Sequence, residues 1–299
     1  MRGKEKKAEQ GSVAILALWG IALIAMLIAP VAFATRGEVR IARNALAESR
    51  ARLAAEAGTQ IGLQRLLRRY ASGAAFDGAP DAWGLGSTHV AIAIADEAGK
   101  IDLNVAPLEL LGGLFAAVGE PREAAELIAC NVLDRRGDTS AGCPQPDVAH
   151  APRRFAVIEE LAEVPGVGDR LYDRIAPYVT VATGASAIDP RVAPRPVLLA
   201  IPGATEGLVD AFLDSRKMWG DLDSGDSAML ASAGAYVMVS SRRDFTIAAV
   251  AAAADGARYR AELQVRLTGS AAQPYLVIAW RTPPVDRGVA VPTKLARVP

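Results

Sequence analysis

An uncharged stretch from Ser12 to Thr35 constrains this chain more than any other feature. It holds no Asp, Glu, Lys or Arg and is built mainly from Ala, Leu, Ile and Val. About 20 apolar residues in a helix suffice to cross the hydrocarbon core of a bilayer. Arg2, Lys4, Lys6 and Lys7 precede the stretch. Basic residues favour the cytoplasmic side, so the head stays inside and everything after Arg36 is exported.

Three readings of this segment compete. It is a plain membrane anchor; or it is a secretory signal, with Ala32-Phe33-Ala34 after Pro30 as a small-residue cleavage site; or it follows a leader that is cut between Gly11 and Ser12 on the cytoplasmic side, so that the apolar helix stays on the mature chain. The run exceeds the roughly 7–15 residues of a usual signal core. A helical pattern also continues past it. Val39, Leu46 and Leu53 recur at heptad spacing, and Ala57, Ile61 and Leu66 extend the stripe. Arg40, Arg43, Glu48, Arg50, Arg52 and Glu56 lie between them as a solvated face, and no Pro interrupts Val31 to Tyr70. A secretory signal has no reason to merge into a long amphipathic helix, so the third reading is favoured.

Glu9-Gln10-Gly11, then Ser12 and the apolar run to Arg36, resemble the leader and helix of type IV pilin-like proteins. The resemblance implies cleavage by a prepilin peptidase between Gly11 and Ser12. Most such proteins carry a Glu five residues after the cut, where this chain has Leu16. Loss of that Glu resembles one branch, the large K-type minor pseudopilin of the type II (general) secretion pathway. A carboxylate buried in a bilayer is costly unless paired. In the family that Glu is thought to pair with the free N-terminal amine of a neighbouring subunit. A subunit without it suits the end of a filament. The implied location is the bacterial inner membrane, single-pass, with a cytoplasmic N-terminus and a periplasmic head.

Lys plus Arg and Asp plus Glu both number 33, so no net field draws the chain toward nucleic acid. The high Ala and low aromatic content favours helix-rich packing. The two cysteines, Cys130 and Cys143, flank a loop-like stretch; an exported chain allows them to pair, and two unpaired thiols are the other reading. His89 and His150 are too isolated for a zinc site or a catalytic pair. No phosphate-binding or dinucleotide fingerprint occurs. A non-enzymatic chain is expected.

The fold class expected is α+β: a long N-terminal helix, a small antiparallel pilin-like sheet and a large all-α insertion. The divisions are a leader at 1–11, the transmembrane and amphipathic helix at 12–70, the first part of the sheet at 71–105, the insertion at 106–220, the second part of the sheet at 232–282 and a tail at 283–299. Within these, Ala71 to Ser87 reads as a loop from its Gly, Ala, Pro and Asp content. His89 to Ala95 reads as a strand through Val90, Ile92 and Ile94. Ile101 to Val105 and Ala233 to Ser240 read as further strands. Phe245–Ala252 and Arg258–Thr268 form a hairpin around Asp255-Gly256, and Tyr275–Arg281 is the last strand.

The insertion contains a repeat. Ile101–Pro107 (IDLNVAP) is echoed by Ile188–Pro194 (IDPRVAP), each with a Leu pair after it. Leu133-Asp134-Arg135 and Leu213-Asp214 with Arg216 mark the later helix of each copy. In the resembled family, N-x-N-x-A segments open the helical subdomains; Asp102, Asn104 and Ala106 fit, while Arg191 replaces the Asn in the second copy. Between the copies, Ile158 to Ile175 with Val164-Pro165-Gly166-Val167-Gly168 reads as a helix-hairpin-helix. Such a hairpin can point N–H groups at a phosphate. Glu159, Glu160, Glu163, Asp169 and Asp173 crowd it, and phosphate contacts need a positive face, so a compact joint between helices is the better reading.

The resemblance further implies a calcium site in the insertion. Asp134, Asp138 and Asp147 are the matching carboxylates, and calcium takes six to eight oxygens. Arg135 and Arg136 intervene, and a surface loop with capping Asp residues is the equal alternative. The function implied is that of a minor pseudopilin at the tip of a periplasmic filament, with the other minor pseudopilins, the major pseudopilin, the prepilin peptidase and secreted cargo as partners. The competing class is a membrane-anchored helix-hairpin-helix DNA-binding protein of an uptake system.

Overall fold

The computed structural model describes residues 5–70, 76–86, 88–138, 143, 151–219, 233–239 and 243–285, with backbone only at 5–14, 27–37 and 217–219. One helix, α1, runs unbroken from Glu5 to Tyr70. Its C-terminal half lies on a five-stranded antiparallel sheet formed by β1 (Asp77–Leu85), β2 (Thr88–Asp96), β5 (Asp244–Ala252), β6 (Arg258–Leu267) and β7 (Tyr275–Arg281), in the order β1-β2-β5-β6-β7. The strands alternate as half-buried strands must. Val90, Ile92, Ile94, Ile247, Leu263 and Val265 face the helix and form one core with Ala54, Ala55, Leu63 and Leu66.

Small residues decide how α1 lies on the sheet. Gly58 and Gly62, four apart, are on the same helical face. A Cβ on Gly58 would sit 2.8 Å from Val90 Cγ1, and one on Gly62 2.4 Å from Ile247 Cγ2. Thr59 is buried beside them and bonds the Glu56 carbonyl through its hydroxyl at 2.7 Å. At the lower end Tyr70 and Phe76 both meet the ring of Phe245 edge-on, with centroids 6.0 and 5.7 Å apart.

The insertion occupies the connection between β2 and β5. It comprises β3 (Ile101–Asp102), α2 (Leu108–Ala117), α3 (Arg122–Arg136), a 3-10 turn (Ile158–Glu163), α4 (Asp169–Ile175), β4 (Val179–Thr180), α5 (Arg195–Leu199) and α6 (Glu206–Trp219). It has its own core around Leu110, Leu114, Phe115, Leu133, Leu161 and Ile175, separate from the core beneath α1.

Three strand expectations need correction. The stretch expected as a loop at Ala71–Ser87 contains β1, because every residue from Pro80 to Leu85 finds a partner on β2, while its Gly78 and Pro80 are accommodated at an edge bulge. Ile101–Val105 does not extend the main sheet. Only Ile101 and Asp102 are extended, and they pair parallel with Val179 and Thr180 in a two-stranded sheet of the insertion. The described residues of the stretch expected as a strand at Ala233–Ser240 do not form one either. Gly234–Tyr236 is a 3-10 turn, and Val237 makes one parallel bridge to Ile188. The first sheet segment therefore ends at Asp96 and the second begins at Asp244.

The repeat is structural. The Asp102 carboxylate accepts the Asn104 N–H at 2.9 Å and its carbonyl accepts the Ala106 N–H at 2.9 Å. The Asp189 carboxylate accepts the Arg191 N–H at 3.0 Å and its carbonyl accepts the Ala193 N–H at 3.1 Å. Each turn feeds a Pro, Pro107 or Pro194, that opens α2 or α5 without a side-chain cap. Each copy closes on a parallel pairing preceded by a 3-10 turn: a two-residue ladder after Tyr178 in the first, a single bridge at Val237 after Tyr236 in the second.

Candidate functional site

Gly11 and Ser12 both lie within the unbroken helix. Their side chains are outside the described residues, as is the tail from 286 onward. Leu16 is 71% exposed, and Ile15, Leu18, Trp19, Ile21, Leu23 and Met26 are exposed with it. The helix carries this apolar surface onward. Val39, Leu46 and Leu53, at 48, 50 and 65% exposure, point away from the sheet, while Ala47, Ala51, Ala54 and Ala55 are buried. Over this length the large residues of the stripe are offered outward, and the alanines of the opposite face are buried. Only its lower end, at Ile61 and Leu66, merges with the core. Among the described residues no helix is long and apolar enough to cross a membrane; the side chains described within the uncharged stretch are those of 15–26.

In the insertion, Cys130 of α3 is disulfide-bonded to Cys143, with Cα atoms 5.4 Å apart. The bond ties Cys143 back onto that helix. Asp134 and Asp138 flank the helix end, where Gly137 takes a left-handed φ of 79° and closes it. The Asp138 carboxylate is held by Arg136 at 2.8 Å. Asp147 lies outside the described residues. Among the described residues no three carboxylate, His or Cys side chains gather as a metal site.

Two arginines that sequence reading did not connect hold the repeat together. The Arg136 guanidinium donates to the carbonyls of Leu103 and Ala106 at 3.0 and 2.7 Å. That of Arg216 donates to Pro190 and Ala193 at 3.1 and 2.7 Å, the same two places in the second turn. The planar fork of Arg suits paired acceptors. The copies differ at Asn104. Its side chain clamps Phe155 by two bonds, to the backbone N–H at 2.8 Å and the carbonyl at 3.0 Å. Arg191 instead folds onto its own turn, with bonds of 2.9 and 2.6 Å to Asp189. Through Asn104 the first copy thus grips the segment leading to the hairpin.

The hairpin is short. Its first arm is a 3-10 turn, and α4 follows Gly168. The tip is seated on α3: a Cβ on Gly166 would meet Ile128 at 2.8 Å, and the Pro165 carbonyl accepts from Asn131 at 2.9 Å. Arg135 pairs with Glu163 at 3.0 Å and Arg153 with Glu160 at 3.0 Å. Both cations are thus paired with the acidic first arm of the hairpin.

The insertion meets the sheet through Glu97, at the exit of β2. Its buried carboxylate pairs with Lys100 at 2.5 Å and reaches the hydroxyls of Thr180 in the insertion and Thr246 in β5. Burial pushes this carboxyl upward, but Lys100 and the two hydroxyls outweigh it and hold it below the ordinary carboxylate range. Asp244 beside it is raised, by burial first, with Arg266 at 2.7 Å acting the other way.

Comparison with known protein families and with curated proteins returns no match. Among solved structures, the chain is similar to a chain of the GspK-GspI-GspJ complex from the type 2 secretion system of enterotoxigenic Escherichia coli. The similarity has a TM-score of 0.47 at 18% identity and covers 69% of this chain and 84% of that one.

Proposed function

We propose that this chain is a minor pseudopilin of a type II secretion system, a non-enzymatic subunit at the tip of a short periplasmic filament. The observation that carries this is α1. It runs without a break from the basic head, through the uncharged stretch, onto the sheet, and turns Val39, Leu46 and Leu53 away from its own head. An outward apolar stripe at heptad spacing calls for neighbouring helices, as in a helix-cored filament. After removal of the leader at Gly11, Ser12 begins a membrane anchor that can later pass into such a core. Leu16 offers no carboxylate to the amine of a subunit above it. The bulky insertion, which has its own core, restricts the head to a position where nothing stacks above. Other minor pseudopilins and the major pseudopilin are the partners, and the prepilin peptidase is the processing enzyme.

Mass spectrometry of the mature N-terminus tests this reading. A chain starting at Ser12, with or without N-methylation, is expected. A start at Thr35 identifies a secretory signal and overturns the filament role. The rival DNA-binding reading is opposed by the acidic, inward-seated hairpin; a salt-dependent gel shift by the intact detergent-solubilised protein would revive it.

A further inference from the structure

The two edges of the main sheet are built differently. β1 carries Asp77, Gly78, Pro80 and Asp81, is bulged between Asp77 and Pro80, and is tied to α1 by an ion pair from Arg65 to Asp81. Charge, Pro and bulges are the usual protection of an exposed edge. β7 has neither charge nor Pro between Tyr275 and Trp280, which reads Tyr-Leu-Val-Ile-Ala-Trp, and its one irregularity lies against β6.

A register shift gives β7 its character. Val277 stands opposite Val265, but Ala279 stands opposite Gln264, so one extra residue, Ile278, is accommodated between them. Directly opposed residues point to the same face of a sheet. Tyr275, Val277 and Trp280 therefore share the face of Leu267, Val265 and Leu263, which is the face α1 covers. In a regular strand Val277 and Trp280 would point to opposite faces. Yet Val277 is 57% and Trp280 43% exposed. They are an unfinished row of the α1 core, left open because α1 lies over β2, β5 and β6.

The gap has the width of a helix. Adjacent strands are about 4.8 Å apart, so β7 lies about 9.6 Å from β5, and packed helices lie about 8–10 Å apart. A stable association buries roughly 800 Å² on each partner, more than a seven-residue strand edge supplies alone. A strand added to β7 would touch β7 only. A helix laid in the angle between β7 and the flank of α1 contacts both. Pro283, Pro284 and Pro292 make the sequence after β7 a poor source of that helix.

We infer that the trough beside α1, floored by Tyr275, Val277 and Trp280, seats the N-terminal helix of an adjoining pilin-like subunit. This rests on the assembly role proposed above. It assigns the neighbour to the β7 side of α1 and excludes the blocked β1 side.

The test is photo-crosslinking of the full chain in its own host, with p-benzoylphenylalanine placed at Val277 or, as a reference, at Leu53 on the outward stripe. The expected adduct at 277 is a peptide from the uncharged N-terminal helix of another prepilin-like chain. An adduct at 53 with such a helix, but at 277 only with a head strand, a second copy of this chain, residues 286–299 or nothing, overturns the trough and leaves the assembly role standing. No adduct at either position overturns both. In parallel, Trp280→Asp should lower co-purification of the crosslinked subunit by at least about tenfold, as for a central apolar anchor. Leu276→Asp, on the same strand but facing the other side opposite Arg266, should leave it within about twofold. Equal losses overturn the assignment to this face.

Discussion

Asp96 and Phe245 are direct cross-strand partners on β2 and β5, although the entire helical insertion lies between them in sequence. The core under α1 contains no residue of that insertion. Excising residues 97–244 and joining Asp96 to Phe245 through Asn-Gly, a pair suited to a two-residue hairpin, should therefore leave α1 and the sheet folded. Circular dichroism and cooperative unfolding of the shortened chain check the fold. If the insertion acts as a steric cap, filaments built with this subunit should be longer or more numerous by electron microscopy at matched expression. Unchanged filaments around a stable shortened subunit would count against capping.

Gly62→Ala should destabilise the sheet core. The new methyl would press on Ile247, a stiff β-branched side chain inside the sheet. Overpacking of this kind costs about 1–3 kcal/mol, against about 1 kcal/mol gained in helix propensity. Gly207→Ala in α6 meets nothing within 4 Å and should stabilise by roughly 0.5–1 kcal/mol. Urea unfolding of both variants decides; equal shifts would sink the close-approach account.

Reduction of Cys130–Cys143 should lower the stability of the insertion. A loop of this size, closed by a sequence separation of 13, contributes about 3 kcal/mol in the chain-entropy account. The expected result is a lower unfolding midpoint in dithiothreitol, matched by the Cys130→Ser/Cys143→Ser double variant and unaffected there by reductant. A reductant effect that persists in the double variant would refute it.

Glu97 should shape the acid limb of stability. Its folded carboxyl lies below the unfolded value, so the folded state binds fewer protons. Its contribution is complete above the unfolded carboxylate pKa, about 4.3, and is lost as pH falls through the lower folded value. Asp244 is shifted up and acts with the opposite sign: acid relieves its burial cost. Glu97→Gln should lower stability at neutral pH by roughly 2–3 kcal/mol, because Lys100 loses its partner, and should flatten the slope below about pH 5. An unchanged slope in a pH series of denaturant midpoints would show that Glu97 does not set it.

The strands were legible where alternation was strong and turns were marked. Val90, Ile92 and Ile94 do face the core, the hairpin turns at Asp255-Gly256 with Gly256 at φ 89°, and β7 spans Tyr275 to Arg281. β1 was hidden because Gly and Pro speak locally for a loop, while the pairing that overrides them comes from β2. The parallel ladder of Ile101-Asp102 on Val179-Thr180 was hidden for the same reason. Two-residue strands carry no periodicity, and their partner lies far along the chain. The paired Tyr-Val at 178–179 and 236–237 was a visible signal of the matching bridge in the second copy.

The sequence by itself determined the elements whose causes are local: an uncharged helix-length run behind a basic head, a heptad stripe beyond it, a hairpin turn and a duplicated turn with its following helix. Each depends on residues within a few turns of one another. Tertiary structure alone decided which face of α1 meets the sheet. Its own pattern favours the large residues of the stripe, but the close approach to Val90 and Ile247 is made at Gly58 and Gly62, with buried alanines on the same face. The apolar stripe and the β7 row are consequently left facing outward. That outcome follows from packing volume across the chain, which no local pattern encodes.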